Sequence, residues 1–150
     1  MATNDTIFDT LHHVCIVVQD MAEAQQYFES LGARDWQDYP SLSDYVEVSL
    51  DRSDFETLTY KFCNLENVQI QLCEPGPGNT PQRKFLEDRG AGVYHLGFDV
   101  PDVGDAEKNG RNVGLVPGYR GRRADGSGFT YFKTQTPLGV TLEVRSSPKA

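Results

Sequence analysis

The chain has 150 residues, of which 38% are hydrophobic and 24% charged, and its formal net charge is −8 with a pI near 4.8. This size and composition are typical of one compact globular domain or two small fused modules, and they exclude an intrinsically disordered chain. The acidic balance argues against binding to nucleic acid and to an anionic membrane surface.

The cysteines and the first residues indicate the compartment. Cys15, Cys63 and Cys73 are an odd number and form no CxxC pair, so we expect reduced thiols rather than a disulfide framework or a cysteine zinc site. Residues 1–9 lack the basic and apolar regions of a signal peptide, and no apolar run is long enough to span a bilayer. We therefore expect a cytoplasmic protein without a membrane segment.

Hydrophobic periodicity divides the first half into a strand, a helix and two further strands. These predicted elements cover residues 13–18, 21–31, 56–63 and 68–73. Asp20 is a suitable N-cap for the helix, and Gly32 is a suitable stop.

A Pro/Gly-rich stretch, residues 74–79, separates this half from the next. A short helix is predicted over 80–88, with Thr80 as its cap and Pro81 at its first position. The second half then repeats the pattern of the first. Its predicted elements are a strand over 95–100, a helix that begins after Asp102 and ends within 110–114, a basic glycine-rich loop over 119–128, and strands over 129–134 and 140–145.

The chain resembles itself at two offsets, which indicates an internal duplication. An offset of 82 residues, from His13 to His95, aligns residues 13–21 with 95–103, and an offset of 72 aligns 68–72 with 140–144. We therefore predict a single domain over 10–146. It consists of module 10–75 and module 92–146, joined by linker 76–91.

Matched places in the two modules carry possible metal ligands. Side chains alternate between the two faces of a strand. Gln71 therefore points to the face of its strand opposite to the apolar residues, and Glu143 points to the corresponding face of its strand in the second module. Two-fold pairing of the modules brings these two together with the histidines that open each module, His13 and His95. His12 is the alternative to His13, but it aligns with Tyr94 in the repeat.

Imidazole nitrogen, amide oxygen and carboxylate oxygen form a donor set that suits a divalent first-row ion with open coordination positions. A single carboxylate, that of Glu143, leaves net positive charge on such a site. The site is then able to stabilise an enolate or another oxyanion.

The residues that carry this pattern also resemble a known superfamily. The segments are His-His-Val-Cys-Ile-Val-Val-Gln-Asp (12–20), Val-Gln-Ile-Gln-Leu-Cys-Glu-Pro (68–75), Tyr-His-Leu-Gly-Phe-Asp-Val-Pro-Asp (94–102) and Gly-Val-Thr-Leu-Glu-Val (139–144). They are similar to the vicinal-oxygen-chelate group, which includes glyoxalase I, methylmalonyl-CoA epimerase, extradiol dioxygenases and bleomycin- or fosfomycin-resistance proteins. The resemblance implies an α+β, glyoxalase-like fold, in which two paired βαβββ modules form an open cup-shaped sheet around a metal site, usually in a homodimer.

Residues 79–86 and 90–92 are closest to the epimerase branch, and Gln71 also fits it, because glyoxalase I usually has Glu there. This resemblance implies a metal-dependent isomerase or epimerase. Proton transfer takes place alpha to a metal-chelated carbonyl, in an acyl-CoA or another small carbonyl substrate. One divalent ion is expected per site: Co, Mn, Ni, Zn or Fe. Glu143 corresponds to the family's C-terminal glutamate, as ligand and possible base; we predict Glu56 as the second base, with Glu47 as the alternative.

Three features depart from the epimerase pattern, the first being an insertion in the first module with Trp36, Tyr39 and Tyr45. The loop with Arg120 and Arg122 is basic in an otherwise acidic chain, so it is either a site for CoA phosphates or a small carboxylate, or a solvated turn. The strand with Phe129 and Tyr131 is strongly aromatic, so it either lines an apolar substrate pocket or fills the core.

Two other functions are compatible with the same residues. An Fe(II)-dependent dioxygenase or lyase acting on an aromatic compound needs two histidines and one carboxylate, with Gln71 not bound. A metal-free drug-binding resistance protein needs no matched ligands, and the four-ligand pattern argues against it.

Overall fold

The computed structural model describes residues 7–149. In chain order the strands are β1 (Leu11–Val17), β2 (Gln37–Asp38), β3 (Tyr45–Val48), β4 (Leu58–Asn64), β5 (Gln69–Pro75), β6 (Gly92–Asp99), β7 (Pro117–Arg123), β8 (Gly128–Phe132) and β9 (Thr141–Ser146). The helices are α1 (Met21–Ser30), α2 (Arg52–Phe55), α3 (Pro81–Arg89), α4 (Val103–Asn112) and α5 (Gln135–Leu138). Among the residues described, no helix combines the length and the apolar character that a membrane crossing requires.

Contacts within the chain separate two compact units. The first unit consists of residues 13–42 and 51–94, and the second contains the described residues 7–12, 43–50 and 95–149. Segment 43–50 lies in the first half of the sequence but belongs to the second unit, because β3 pairs with β7. The units therefore differ from the predicted modules in this segment, and also in α3, which lies in the first unit.

In the first unit the strand order is β2-β4-β5-β1. β1 is parallel to β5, while β4 and β5 form an antiparallel hairpin. Helix α1 covers one face of this sheet, where Val18, Met21 and Leu72 form a buried apolar cluster. The predicted helix start is confirmed, because the Asp20 side chain accepts a hydrogen bond from the Glu23 amide at 3.0 Å.

In the second unit the strand order is β6-β9-β8-β7-β3, and β6 is parallel to β9. Helix α4 covers one face of this sheet, where Val103, Ala106, Phe132 and Val144 are buried together. The helix lies very close to the sheet at Gly110, since a Cβ on that residue would be 2.7 Å from the Phe132 ring. Each unit therefore contains a strand, a helix and a later strand parallel to the first.

The predicted helix between the two halves is also confirmed. Thr80 caps α3 by accepting a hydrogen bond from the Arg83 amide at 3.1 Å, and Pro81 occupies the first position. Gln82 and Leu86 on this helix are buried. The helix thus packs as part of the first unit instead of acting as a solvated linker.

One predicted element is wrong. Residues 119–128 were expected to form a loop, but strand β7 continues to Arg123 and β8 begins at Gly128. Gly121 has a packing role in the strand, because a Cβ there would be 2.6 Å from the Phe129 ring. Glycine and arginine are common in loops, so their density concealed a strand whose side chains alternate between an aromatic face and a charged face.

Candidate functional site

His95 and Glu143 lie side by side on the second unit. Their strands are parallel neighbours, with Gly97 level with Glu143, so both side chains project from the same face of the sheet. His95 Nε2 and Glu143 Oε1 are 3.6 Å apart, and both side chains are almost fully buried. The face they occupy is opposite to the one covered by α4.

Burial dominates the electrostatics of Glu143. Desolvation raises the pKa of its carboxyl, while the charges of His95 and Arg145 and a hydrogen bond from Tyr131 act to lower it, and the net direction is upward. A carboxylate with a raised pKa is a better proton acceptor than an exposed one. The local environment of Glu143 is therefore suited to proton transfer.

Tyr131 connects the two polar side chains. It lies directly opposite Glu143 across β8 and β9, and its hydroxyl donates to the Glu143 carboxylate. Its ring packs edge-on against the His95 imidazole, with ring centroids 4.9 Å apart. Both groups are thus held in place by one aromatic side chain.

A row of buried aromatic rings continues from Tyr131 along the same face. Tyr119 packs on Tyr131 with centroids 4.7 Å apart, Phe129 on Tyr119 at 5.6 Å, and Tyr45 on Phe129 at 5.2 Å. The predicted substrate residues Phe129 and Tyr131 therefore share the face of Glu143. Whether they contact a substrate stays a prediction.

The structure does not bring Arg120 and Arg122 to that face. Both point towards α4, where they donate to the Glu107 carboxylate at 2.9 and 3.1 Å. Thr130 also donates to Glu107, at 2.7 Å. The sequence did not predict this cluster, because it does not show that Glu107 lies on the face of α4 that packs against the sheet.

In the first unit, His13 and Gln71 share the face opposite to α1. His13 is level with Gln69 and Cys15 is level with Gln71, so alternate residues of β1 and β5 point the same way. Both predicted ligands are buried. The Gln71 side-chain amide donates to Gln69 Oε1 at 2.8 Å, which fixes its orientation.

His12 differs from His13 in its surroundings. As the preceding residue of the same strand it points to the other face, and it is half-buried. Burial lowers the pKa of His12, as does the charge of Arg145. His12 therefore does not share the face of Gln71.

Sequence reasoning missed a polar chain on the His13 face. Tyr60 lies opposite Cys73 across the β4–β5 hairpin and is hydrogen-bonded to its thiol. The Gln82 side-chain amide donates to the Tyr60 hydroxyl at 3.0 Å. Burial raises the pKa of the Cys73 thiol to about 12. The alternation of Tyr60 with Phe62 was visible in the sequence, but the register that pairs Tyr60 with Cys73 was not.

The two predicted second bases lie elsewhere. Glu56 does not begin a strand; it caps the C-terminal end of α2 and forms an ion pair with Arg52 at 3.2 Å. Glu47 is exposed on β3, level with Arg122. Neither carboxylate belongs to a buried polar cluster, and their role as a base stays a prediction.

The residues present fit a divalent metal ion. Two ligands at the usual distance of about 2.0–2.2 Å from one ion lie about 3–3.5 Å apart. The His95–Glu143 separation of 3.6 Å is close to this range. His13, His95 and Glu143 are all buried and each offers one ligand atom. The donors are nitrogen and oxygen, as first-row divalent ions prefer.

A family comparison agrees with this fold. The model of the Glyoxalase/Bleomycin resistance protein/Dioxygenase superfamily matches residues 12–131, and the chain belongs to this superfamily.

One curated relative is an epimerase. An ethylmalonyl-CoA/methylmalonyl-CoA epimerase from Cereibacter sphaeroides is 34% identical over 95 residues, which are 62% of this chain and 62% of that protein. The alignment thus spans less than two thirds of the relative's length.

Solved structures confirm the glyoxalase-like α+β fold. Methylmalonyl-CoA epimerase from Mycobacterium tuberculosis superposes with a TM-score of 0.70 at 23% identity, over 99% of this chain and 93% of that one. A variant of the Streptomyces coelicolor enzyme in complex with 2-nitronate-propionyl-CoA gives a TM-score of 0.73 at 18% identity, over 97% and 98% of the two chains.

Proposed function

We propose that this protein is a metal-dependent epimerase of a 2-substituted malonyl-CoA or a related acyl-CoA thioester. The observation that carries the proposal is Glu143, a buried carboxyl with a raised pKa, beside His95. The similarity to an ethylmalonyl-CoA/methylmalonyl-CoA epimerase favours this chemistry among the many in the superfamily.

The ligands of the ion are His13 and Gln71 from the first unit and His95 and Glu143 from the second. Equivalent strand positions in the two halves of the chain support this set, as does the burial of all four side chains. The ion, when bound, supplies positive charge that stabilises the oxygen of an enolate.

The side chains of the protein account for the proton transfer. The Glu143 carboxylate removes the acidic α-proton of the thioester, and the C–H electron pair moves into the enolate. The Tyr131 hydroxyl holds the carboxylate in position. The row of rings that includes Phe129 lies on the same face as Glu143, whose burial raises the pKa of its carboxyl.

Proton exchange tests the role of Glu143. Wild-type enzyme in D₂O should exchange the α-proton of methylmalonyl-CoA, measured by mass spectrometry or NMR. Glu143→Gln should slow the exchange by about two to four orders of magnitude, because an amide does not accept a proton at neutral pH. The variant is reloaded with metal before measurement, so that loss of the ion is not the cause.

Two results would contradict this assignment. Exchange at the wild-type rate in metal-loaded Glu143→Gln would make Glu143 a ligand only. Consumption of O₂ with a catechol, without proton exchange on any thioester, would replace the epimerase by an iron-dependent oxygenase.

Metal content tests the ligand set independently of activity. His95→Ala should lose most of the bound metal in protein purified without added metal, because it removes one of two nitrogen ligands. His12→Ala is the matched control, a half-buried histidine on β1 that points away from Gln71, and it should keep the wild-type content. Full metal stoichiometry in folded His95→Ala would refute the proposed site.

A further inference from the structure

We propose that Arg145 binds the free carboxylate of the substrate and restricts the proposed reaction to thioesters that carry a carboxylate on the α-carbon. This role rests on the proposed epimerase function and defines the substrate class of the same site. Arg145, its ion-pair partner Asp99 and Glu143 all belong to the second unit. Neither Arg145 nor Asp99 was among the site residues predicted from the sequence.

Arg145 projects from the face of the sheet that carries Glu143 and His95. It lies two residues after Glu143 on β9, and Val144 between them is buried on the other face, under α4. Side chains two residues apart on a strand leave it about 6.4–6.8 Å from each other. The charge of Arg145 also acts to lower the pKa of the Glu143 carboxyl, as a neighbouring cation does. A substrate whose α-carbon lies at Glu143 is therefore within reach of the guanidinium.

The internal duplication shows that the fold does not need a charge at this position. Arg145 is level with Asp99 across β9 and β6, and the two form an ion pair. At the two offsets of the repeat, the matching residues in the first half are Cys73 and Val17, which are also level with each other. Both are fully buried, with 0% exposure. Since an uncharged pair fills the same register in the other unit, packing alone does not explain the charged pair.

The Arg145 guanidinium keeps donors for a second carboxylate. Among residues 7–149 its side chain donates to Asp99 alone, through Nη1. A guanidinium carries five N–H donors in a planar fork, so the pairing with Asp99 does not exhaust them. The Arg145 side chain is 13% exposed and that of Asp99 is 41% exposed. The pair therefore borders solvent, from which a carboxylate is able to reach it.

A carboxylate on the substrate requires a cation at this place. In a malonyl-type thioester the carboxylate is bonded to the α-carbon, the atom from which Glu143 removes a proton. Two carboxylates so close together repel each other, and the repulsion is stronger away from bulk water. Arg145 offsets it, because a guanidinium binds a carboxylate through two parallel N–H···O hydrogen bonds. A thioester that lacks the carboxylate gains nothing from this contact.

Equilibrium binding of two thioesters tests this role. Methylmalonyl-CoA, as an equilibrated mixture of epimers, differs from propionyl-CoA by the carboxylate alone, and the dissociation constants of both for metal-loaded enzyme are measured by isothermal titration calorimetry. Arg145→Gln should weaken the binding of methylmalonyl-CoA by about 10–100-fold, because a charge-assisted pair of hydrogen bonds is lost. Its affinity for propionyl-CoA should stay close to that of wild type.

Two variants serve as controls. Arg123→Gln removes another cation from the second unit, one whose guanidinium lies 4.5 Å from the Tyr45 ring centroid and donates to the Tyr45 hydroxyl. It should leave the ratio of the two dissociation constants unchanged, which excludes a general effect of net charge. Asp99→Asn breaks the ion pair but keeps the guanidinium, so it should bind methylmalonyl-CoA at least as tightly as wild type does. The metal content of every variant should equal that of wild type, which excludes an effect through the ion.

Three outcomes would overturn the role of Arg145: unchanged affinity of Arg145→Gln for methylmalonyl-CoA, an equal loss for both thioesters, and an equal loss in Asp99→Asn. If Arg145→Gln does not fold, Arg145→Lys decides. It keeps the charge but lacks the planar fork, so the preference for methylmalonyl-CoA should fall, and an unchanged preference would refute the proposal. Proton exchange by wild type in D₂O is followed separately, and its absence would instead refute the proposed function.

Discussion

At the scale of single residues, Tyr131 holds the Glu143 carboxylate in position. Its hydroxyl donates to the carboxylate and its ring packs against His95, so it supports two proposed ligands at once. Residues that orient metal ligands usually matter for affinity nearly as much as the ligands themselves.

Tyr131→Phe should therefore weaken metal binding by about 10–100-fold, measured by competition with a chromogenic chelator. Tyr119→Phe is the matched control, since Tyr119 is also buried and packs on Tyr131 but lies one strand further from Glu143. Equal affinities in Tyr131→Phe and wild type would show that the hydroxyl does not position the carboxylate.

Individual site residues differed in how far the sequence predicted them. Gln71 and Glu143 were selected as candidate ligands because strand side chains alternate with a period of two, which is readable from the chain alone. Tyr60 and Tyr131 were assigned no such polar contacts, because their partners depend on the register between strands. Register follows from tertiary packing and turn geometry, and neither is written in the local sequence.

At the scale of secondary-structure elements, Glu107 joins α4 to β7 and β8. It accepts hydrogen bonds from Arg120, Arg122 and Thr130 on these strands. Burial acts to raise the pKa of Glu107, but the Thr130 hydrogen bond and the two arginine charges outweigh it, and the pKa is lowered. The charged carboxylate is thus the form that this junction stabilises.

Glu107→Gln should lower the free energy of unfolding by about 2 kcal/mol, because it leaves partly buried arginines without their counter-charge. Arg111 on α4 also pairs with Glu107, at 3.3 Å, and both Arg111 and Arg120 are substantially exposed, so the larger loss seen for fully buried pairs is not expected. The melting temperature should fall by roughly 4–8 °C in calorimetry. Glu87→Gln, at an exposed ion pair with Arg83, should have little effect.

The same junction predicts a pH dependence. A carboxyl whose folded-state pKa is lowered contributes stability above its unfolded-state pKa and loses it as the pH falls through the folded value. The stability difference between wild type and Glu107→Gln should therefore be largest near neutral pH and shrink below about pH 4.5. Chemical denaturation at several pH values measures it, and a constant difference would exclude an electrostatic origin.

Element prediction failed where composition was misleading. The stretch from Tyr119 to Arg123 was read as a loop because of its glycine and arginine, yet it pairs with β3 on one side and β8 on the other. The helices α1, α3 and α4 were predicted well, since each begins with a capping side chain that is recognisable in the sequence.

At the scale of the whole molecule, the fold class was predicted because the chain carries its pattern twice. A single strand–helix pattern is compatible with many folds, whereas the segments that carry the duplicated pattern resemble one superfamily, and the resemblance implied its fold. The α+β assignment is confirmed by the superfamily match and the superpositions. The substrate was not predictable to the same degree, because loops and side chains specify it within a shared fold.

We expect a homodimer, as the family resemblance implies. The edge strand of the second unit, β3, is short and carries an exposed valine, Val46, and exposed edges commonly pair or are covered. Light scattering across the micromolar range should give twice the monomer mass of 16.8 kDa. A constant monomer mass over that range would contradict the expectation.

Because residues 43–50 belong to the second unit, the chain cannot be divided between 76 and 91 into two fragments that each contain a complete unit. A break within 76–91 gives an N-terminal fragment that carries β3, although β3 pairs with β7 of the other fragment. Neither piece then encodes a complete unit. We expect the fragments to be poorly folded apart and to regain structure on mixing, by strand donation from one polypeptide to the other. The present sequence is thus a candidate for split-protein complementation, with the donated strand as the element that makes assembly conditional on both pieces.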